Sequence, residues 1–204
     1  MREFDAKVVS VGENFVVLDR TCFFPRGGGQ VGDTGVLSGV RVFDTVRDGE
    51  EVRHIIEGNI VFYPGQAVHG VIDWDRRYRI MRLHSASHLV YYVMKEVFGP
   101  KCIPTSSGLL DDLKDRSDYL FDNPLDRAKL AEVEERVNGL ITDGIPITHG
   151  QESDGERFLW KVALFPGMEC GGTHVKNTAE IGQISIKRGS KPGKGKERIE
   201  LTLY

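Results

Sequence analysis

The sequence predicts an α+β protein in two parts: a small N-terminal β-barrel over residues 1–74, and an α/β domain over residues 75–204 with an antiparallel sheet and a zinc site. Three observations predict it. Short stretches of alternating apolar residues, divided by glycine-containing turns, fill the first third of the chain. Long helical periods begin only after Asp73. Two chelating pairs of soft side chains, His84/His88 and Cys170/His174, stand about eighty residues apart.

The barrel strands are expected at 7–11, 15–19, 35–37, 40–47, 52–56 and 67–72. Alternation such as Val40-Arg41-Val42-Phe43 and turn pairs such as Gly12-Glu13 and Asp48-Gly49 support them. Closing such strands into a barrel leaves few exposed edges. Within this part, Gly27 to Gly32 matches G-x-G-x-x-G, but no helical period comes after it, so a dinucleotide site is rejected. No Gly-Lys-Ser/Thr is present either, which rejects a phosphate-binding P-loop. Two readings of the loop remain. One is a tight barrel corner; the other is a ligand-binding loop, whose backbone at Gly27, Gly28 and Gly29 approaches substrate unhindered by a Cβ.

A first helix capped by Asp73 or Asp75 is expected to run to Phe98 and stop at Gly99-Pro100. Its buried stripe is Ile80, Leu83, Ser87, Val90, Met94 and Val97, which places His84 and His88 at the edge of the core. Residues 103–122 read as strand-like ends around a polar stretch at 111–115. A second amphipathic helix spans 125–142, with Glu132, Glu134 and Glu135 outward and Gly144 and Pro146 closing it. Strands are expected next at 145–149 and 158–162, then the Cys170 loop, then a hairpin of 183–187 and 198–203.

On a helix, His84 and His88 share one face, roughly 5–6 Å apart, so one metal can bridge them. Gly171 and Gly172 let Cys170 and His174 turn towards one point. Two imidazoles, a third imidazole and a thiol make a zinc composition, whether structural or catalytic. A zinc peptidase would carry glutamate after its first histidine, and here that position is Ser85. A Cys170 nucleophile with His174 as base is the competing chemistry. His54, His69 and His149 lack partners at chelating spacing and read as ordinary residues.

A net charge of −3 excludes a basic nucleic-acid coat, but the charge is uneven. Lys187, Arg188, Lys191, Lys194, Lys196 and Arg198 face one acid, Glu197, and a second basic group (Arg76, Arg77, Arg79, Arg82) leads into His84. Three cysteines without framework spacing, no signal-peptide run and no membrane span give a cytoplasmic expectation.

These residues resemble a known family. His84-x-x-x-His88 with Cys170-Gly171-Gly172-Thr173-His174, the loop Phe24-Pro25-x-Gly27-Gly28-Gly29-Gln30-x-Gly32-Asp33-x-Gly35 and the lead-in Asp73-Trp74-Asp75-x-Arg77 look like the editing domain of alanyl-tRNA synthetases. The chain resembles more closely their free-standing relatives, the AlaX trans-editing proteins. The resemblance implies ester hydrolysis of mischarged tRNA(Ala), chiefly seryl and also glycyl, without ATP. It implies one Zn²⁺ per chain on His84, His88, Cys170 and His174, and roles for Thr21 and Gln30 beside the Gly-rich loop. Gly171, Gly172 and Thr173 would orient substrate, and the two basic groups would hold acceptor-stem phosphates. Arg26 stands where the family commonly has an acid. The competing readings are a non-catalytic zinc-stabilised tRNA-binding module and, from the same motif pair in threonyl-tRNA editing domains, a different mischarged tRNA.

Overall fold

The computed structural model describes residues 1–204 apart from 60, 122–123, 152–157 and 194, with the backbone alone at 106 and 107. The chain divides into two compact units, Met1–Arg77 and Tyr78–Tyr204.

In the first unit, six strands close into a barrel: β1 (Glu3–Val11), β2 (Phe15–Leu18), β3 (Gly35–Leu37), β4 (Val40–Asp48), β5 (Glu51–Ile56) and β6 (Ala67–Ile72). Their order is β1-β2-β5-β4-β3-β6, with every neighbouring pair antiparallel. The two-residue alternation sets which side chains fill it. Phe4, Ala6 and Val8 point in while Glu3, Asp5 and Lys7 point out, and Val16, Leu37, Val42, Ile56 and Val68 complete the core.

The glycine-rich loop is a local hairpin. Gly27 and Gln30 exchange both backbone hydrogen bonds, at 3.1 and 3.0 Å, and Gly28 and Gly29 between them have φ of +58° and +87°. Positive φ at both central positions suits glycine, so these two residues set the turn. Asp33, almost fully buried, anchors the chain on the far side of this turn. Its carboxylate accepts from the Phe24 N–H at 2.7 Å and from Arg77 Nε at 2.8 Å.

Helix α1 (Trp74–Phe98) starts in this unit, and its first four residues group with the barrel. Arg76 donates to the Gly32 carbonyl at 2.8 Å, and Arg77, besides pairing with Asp33, donates to the Cys22 carbonyl at 3.0 Å. The Asp73 carboxylate turns to Thr34 (2.5 Å) and Arg41 (2.6 and 3.0 Å), while its backbone carbonyl accepts the Arg77 N–H.

The second unit holds the rest of α1, the hairpin β7 (Ile103–Leu110) and β8 (Asp115–Leu120), and helix α2 (Arg127–Thr142). After them come β9 (Ile147–Gln151), β10 (Phe158–Val162), β11 (Met168–Glu169), a 3₁₀ turn (Thr178–Ile181), β12 (Ile184–Arg188) and β13 (Lys196–Leu203). Two antiparallel sheets result, β12-β13-β8-β7 and β11-β10-β9. The stretch at 111–115 includes the β7–β8 turn, where Asp111 Oδ1 accepts from the Leu113 and Lys114 N–H groups.

Asp126 caps α2 by accepting from the Ala128 N–H at 2.8 Å. Leu130, Val133, Val137 and Ile141 are its buried face. Glu134, expected outward, instead accepts the Ile186 N–H at 2.5 Å, and Asn138 exchanges two bonds with Ile184 (3.0 and 3.1 Å). The helix thus covers the free edge of β12 with side-chain acceptors and donors.

The α1 stripe is also wider than its apolar residues suggest. His84 and His88 are buried, at 9% and 7% exposure, instead of lying at the core's edge, and Ser87 and Val97 are only half-buried.

His54, fully buried in the barrel, donates Nδ1–H to the Val16 carbonyl at 3.0 Å. Nε2 is then left to accept the Thr21 hydroxyl at 2.8 Å. Burial holds this imidazole neutral and lowers its pKa to about 4. The unfolded chain takes up this proton near its ordinary value, so the contribution is complete above about pH 6.5 and is lost as pH falls towards about 4. The expected size is roughly 3 kcal/mol. Urea unfolding at stepped pH should show this slope in the parent protein and a shallower one in His54→Gln; parallel pH profiles would contradict the assignment.

Candidate metal centre

Helix periodicity brings the first pair together, since His84 and His88 are one turn apart on α1 with ring centroids 5.0 Å from each other. The loop after β11 brings the second. Cys170 N–H is anchored to the Phe158 carbonyl at 2.9 Å, and the chain then turns through Gly171 and Gly172 so that His174 faces the helix. The His174 ring lies 4.3 Å from His84 and 4.8 Å from His88, centroid to centroid.

Cys170 Sγ is 3.2 Å from His174 Nε2 and 3.6 Å from His84 Nε2, and the four candidate donor atoms lie within 4.8 Å of one another. Zinc–sulfur and zinc–nitrogen bonds of about 2.3 and 2.0–2.1 Å at tetrahedral angles put sulfur and nitrogen about 3.6 Å apart. The Cys170–His84 separation equals that value and the Cys170–His174 separation is about 0.4 Å shorter, so a small shift of either side chain would let both share a metal.

Electrostatics agree with that reading. Burial lowers the pKa of His84 to about 4 and of His88 and His174 well below the ordinary range, with neighbouring imidazoles adding to the effect. All three rings are neutral near pH 7, the form that binds metal. Burial pushes the Cys170 thiol up, opposed by the Gly172 N–H, which points at the sulfur from 3.4 Å. A thiolate–imidazolium nucleophile needs a charged histidine at its side, and burial holds His174 neutral. The Cys170–His174 dyad is therefore better used as a ligand pair. Nδ1 of His88 is buried with no hydrogen-bond partner among the described residues, so the rings are not assembled to satisfy one another.

Two further side chains frame the group. His149 on β9, expected to be ordinary, lies 5.0 Å from the His174 ring and donates Nε2–H to the Cys170 carbonyl at 2.8 Å. Its register opposite Trp160 places it there, and no spacing in the sequence signals it. Trp160, fully buried, packs edge-on against His88 at 4.8 Å.

The other expected site residues are spread over both units. Thr21 and Gln30 belong to the barrel unit, with Gln30 buried and Thr21 Oγ1 also accepting the Phe23 N–H at 3.0 Å. Arg26 pairs with Asp44. Of the basic residues, Arg76 and Arg77 are bound to the barrel through Gly32, Asp33 and Cys22. Arg188 forms a two-bond pair with Glu197 (2.7 and 2.9 Å), and Arg198 another with Asp118 (2.7 and 3.0 Å). Lys187 and Lys191 are exposed, Lys191 standing 3.8 Å from Glu197, and Lys196 is half-buried. Lys194 lies outside the described residues.

Comparison with known proteins adds the family. The family profile "tRNA synthetases class II (A)" matches residues 1–76, and "Threonyl and Alanyl tRNA synthetase second additional domain" matches residues 169–200, which include Cys170 and His174. The alanyl-tRNA editing protein AlaX-M of Pyrococcus horikoshii is 34% identical over 204 residues, covering 100% of this chain and 93% of that protein. The AlaX-M protein of Saccharolobus solfataricus is 33% identical, covering 100% of this chain and 94% of its own. The alanine–tRNA ligase of Pyrococcus furiosus is 34% identical over 98% of this chain, but the match spans only 24% of that longer enzyme. With full-length similarity of this order, the chain belongs to the AlaX-M family of alanyl-tRNA editing proteins.

Proposed function

We propose that this protein hydrolyses the ester bond of mischarged tRNA(Ala), with Ser-tRNA(Ala) as the main substrate and Gly-tRNA(Ala) as a second, at one zinc ion held by His84, His88, Cys170 and His174. The observation that carries the proposal is the convergence of those four donors in a chain similar over its whole length to alanyl-tRNA editing proteins. Bound zinc supplies Lewis acidity for attack on the ester carbonyl. The chain's own residues do the rest. Three neutral imidazoles and one thiolate would leave the centre a net positive charge. The loop carrying Gly171, Gly172 and Thr173 is assigned to orient the aminoacyl group, as is Gln30 beside Gly27, Gly28 and Gly29.

Thr21 is assigned to selection. Its hydroxyl proton is donated to His54 and one lone pair accepts from Phe23, which leaves oxygen acceptor capacity for the hydroxyl of a seryl group. A site built to bond that hydroxyl is left with an unpaired polar group when alanine enters, and such discrimination reaches roughly 10⁴-fold. For tRNA binding we assign phosphate contacts chiefly to Lys187, Lys191, Lys194 and Lys196. Arg76, Arg77, Arg188 and Arg198 already have protein partners and would act mainly by holding those surfaces in shape.

Deacylation of Ser-tRNA(Ala) beside Ala-tRNA(Ala) tests the proposal. Metal-replete protein should release serine and spare alanine, chelated protein that remains folded should lose the activity, and Thr21→Val should narrow the serine preference. Binding of tRNA without hydrolysis of either would favour the zinc-stabilised binding module. Neutralising Lys191, Lys194 and Lys196 together should weaken tRNA binding and flatten the slope of log affinity against log salt by about 2–3. An unchanged slope would remove these lysines from the interface.

A further inference from the structure

Ser85 directly follows His84 on α1, and it is fully buried. Its Oγ lies 3.1 Å from His174 Nδ1 and accepts the backbone N–H of Val175 at 3.2 Å. The other ring nitrogen of His174 faces the opposite way, with Nε2 3.2 Å from the Cys170 sulfur. A neutral imidazole carries one proton, so the nitrogen that gives a lone pair to a metal requires the proton on its partner nitrogen. With Nε2 turned to the donor group, the proton falls on Nδ1 and the Ser85 oxygen is its acceptor. A hydroxyl oxygen has two lone pairs, enough to receive both N–H groups.

We propose that Ser85 is a positioning residue of the metal centre. Its single oxygen receives the Nδ1–H of a ligand ring and the N–H of the residue after it, tying His174 and its loop to the helix that carries His84 and His88. The inference rests on the reading of these four side chains as a zinc centre. A neutral hydroxyl in this place also has a chemical consequence. Ligating histidines commonly donate to carboxylates, carbonyls or water, and a carboxylate makes the ring a stronger donor and adds negative charge. Serine would orient the ring without that charge, and a bound metal would then be more electrophilic towards an ester carbonyl.

Zinc affinity of the full chain, measured by competition with a chromophoric chelator, tests this together with long-range ¹⁵N imidazole spectra of the zinc-loaded protein. Ser85→Ala is expected to bind zinc roughly 10–100-fold more weakly. In the unmutated protein the spectra should place the His174 proton on Nδ1 with zinc on Nε2. A Ser85→Ala protein with undiminished zinc affinity, even one of lower thermal stability, would make Ser85 a packing residue only and overturn the inference. So would a His174 proton on Nε2, a result that does not depend on the variant folding. Failure of the unmutated protein to bind zinc would instead overturn the zinc reading, and this inference with it.

Discussion

Three imidazoles and a thiol share one buried space, their lone-pair atoms turned towards each other at separations of 3.2 to 4.8 Å. Within a protein interior such a grouping is unfavourable by itself. Burial keeps the rings neutral, each ring has one donor to offer, and Nδ1 of His88 has no partner among the described residues. A divalent metal held by His84, His88, Cys170 and His174 would satisfy these opposed lone pairs and would favour the thiolate form of Cys170. The second unit is arranged to hold that grouping in place. Helix α1 supplies two rings at fixed spacing, the β9–β10 pair supplies Trp160 and His149 as walls, and Ser85 joins the Cys170–Val175 loop back to the helix.

The first unit solves a different problem with similar means. A barrel of short strands has few edges to satisfy, but its long β2–β3 connection must be held without regular structure. The buried Asp33 carboxylate does this, receiving Phe24 N–H and Arg77, while Thr45 Oγ1 donates to the Asp33 carbonyl at 3.0 Å. The Gly27–Gln30 turn is thereby presented on a fixed frame. His54 and Thr21 close the same region from the core side through one hydrogen bond whose direction is set by the Val16 carbonyl.

Much of this was legible in the sequence where the signal is local. Strands β1, β3 and β6 obeyed the two-residue alternation, α1 ended at Gly99 with φ of +85°, and the four side chains that could hold a metal were visible because i,i+4 spacing on a helix and a glycine pair in a loop are both readable from a few residues. Features that escaped depend on contacts between distant segments. His84 and His88 looked peripheral because only apolar residues marked the stripe, whereas the Cys170 loop and Trp160 cover them. His149 enters the site by strand register alone. Ser85 was visible only as the absence of a glutamate, since its partner is 89 residues away. The basic clusters looked continuous in sequence, yet Arg188 and Arg198 are paired with Glu197 and Asp118 by the register of β12, β13 and β8.

As proposed, these four side chains form the inner shell of one zinc ion. X-ray absorption at the zinc edge, on protein purified and loaded with one equivalent, reads that shell without reference to activity. The expected shell is one sulfur at about 2.3 Å and three imidazole nitrogens at about 2.0–2.1 Å. A shell of oxygen and nitrogen without sulfur, or one with fewer than two imidazoles, would contradict it and place the ion elsewhere on the chain.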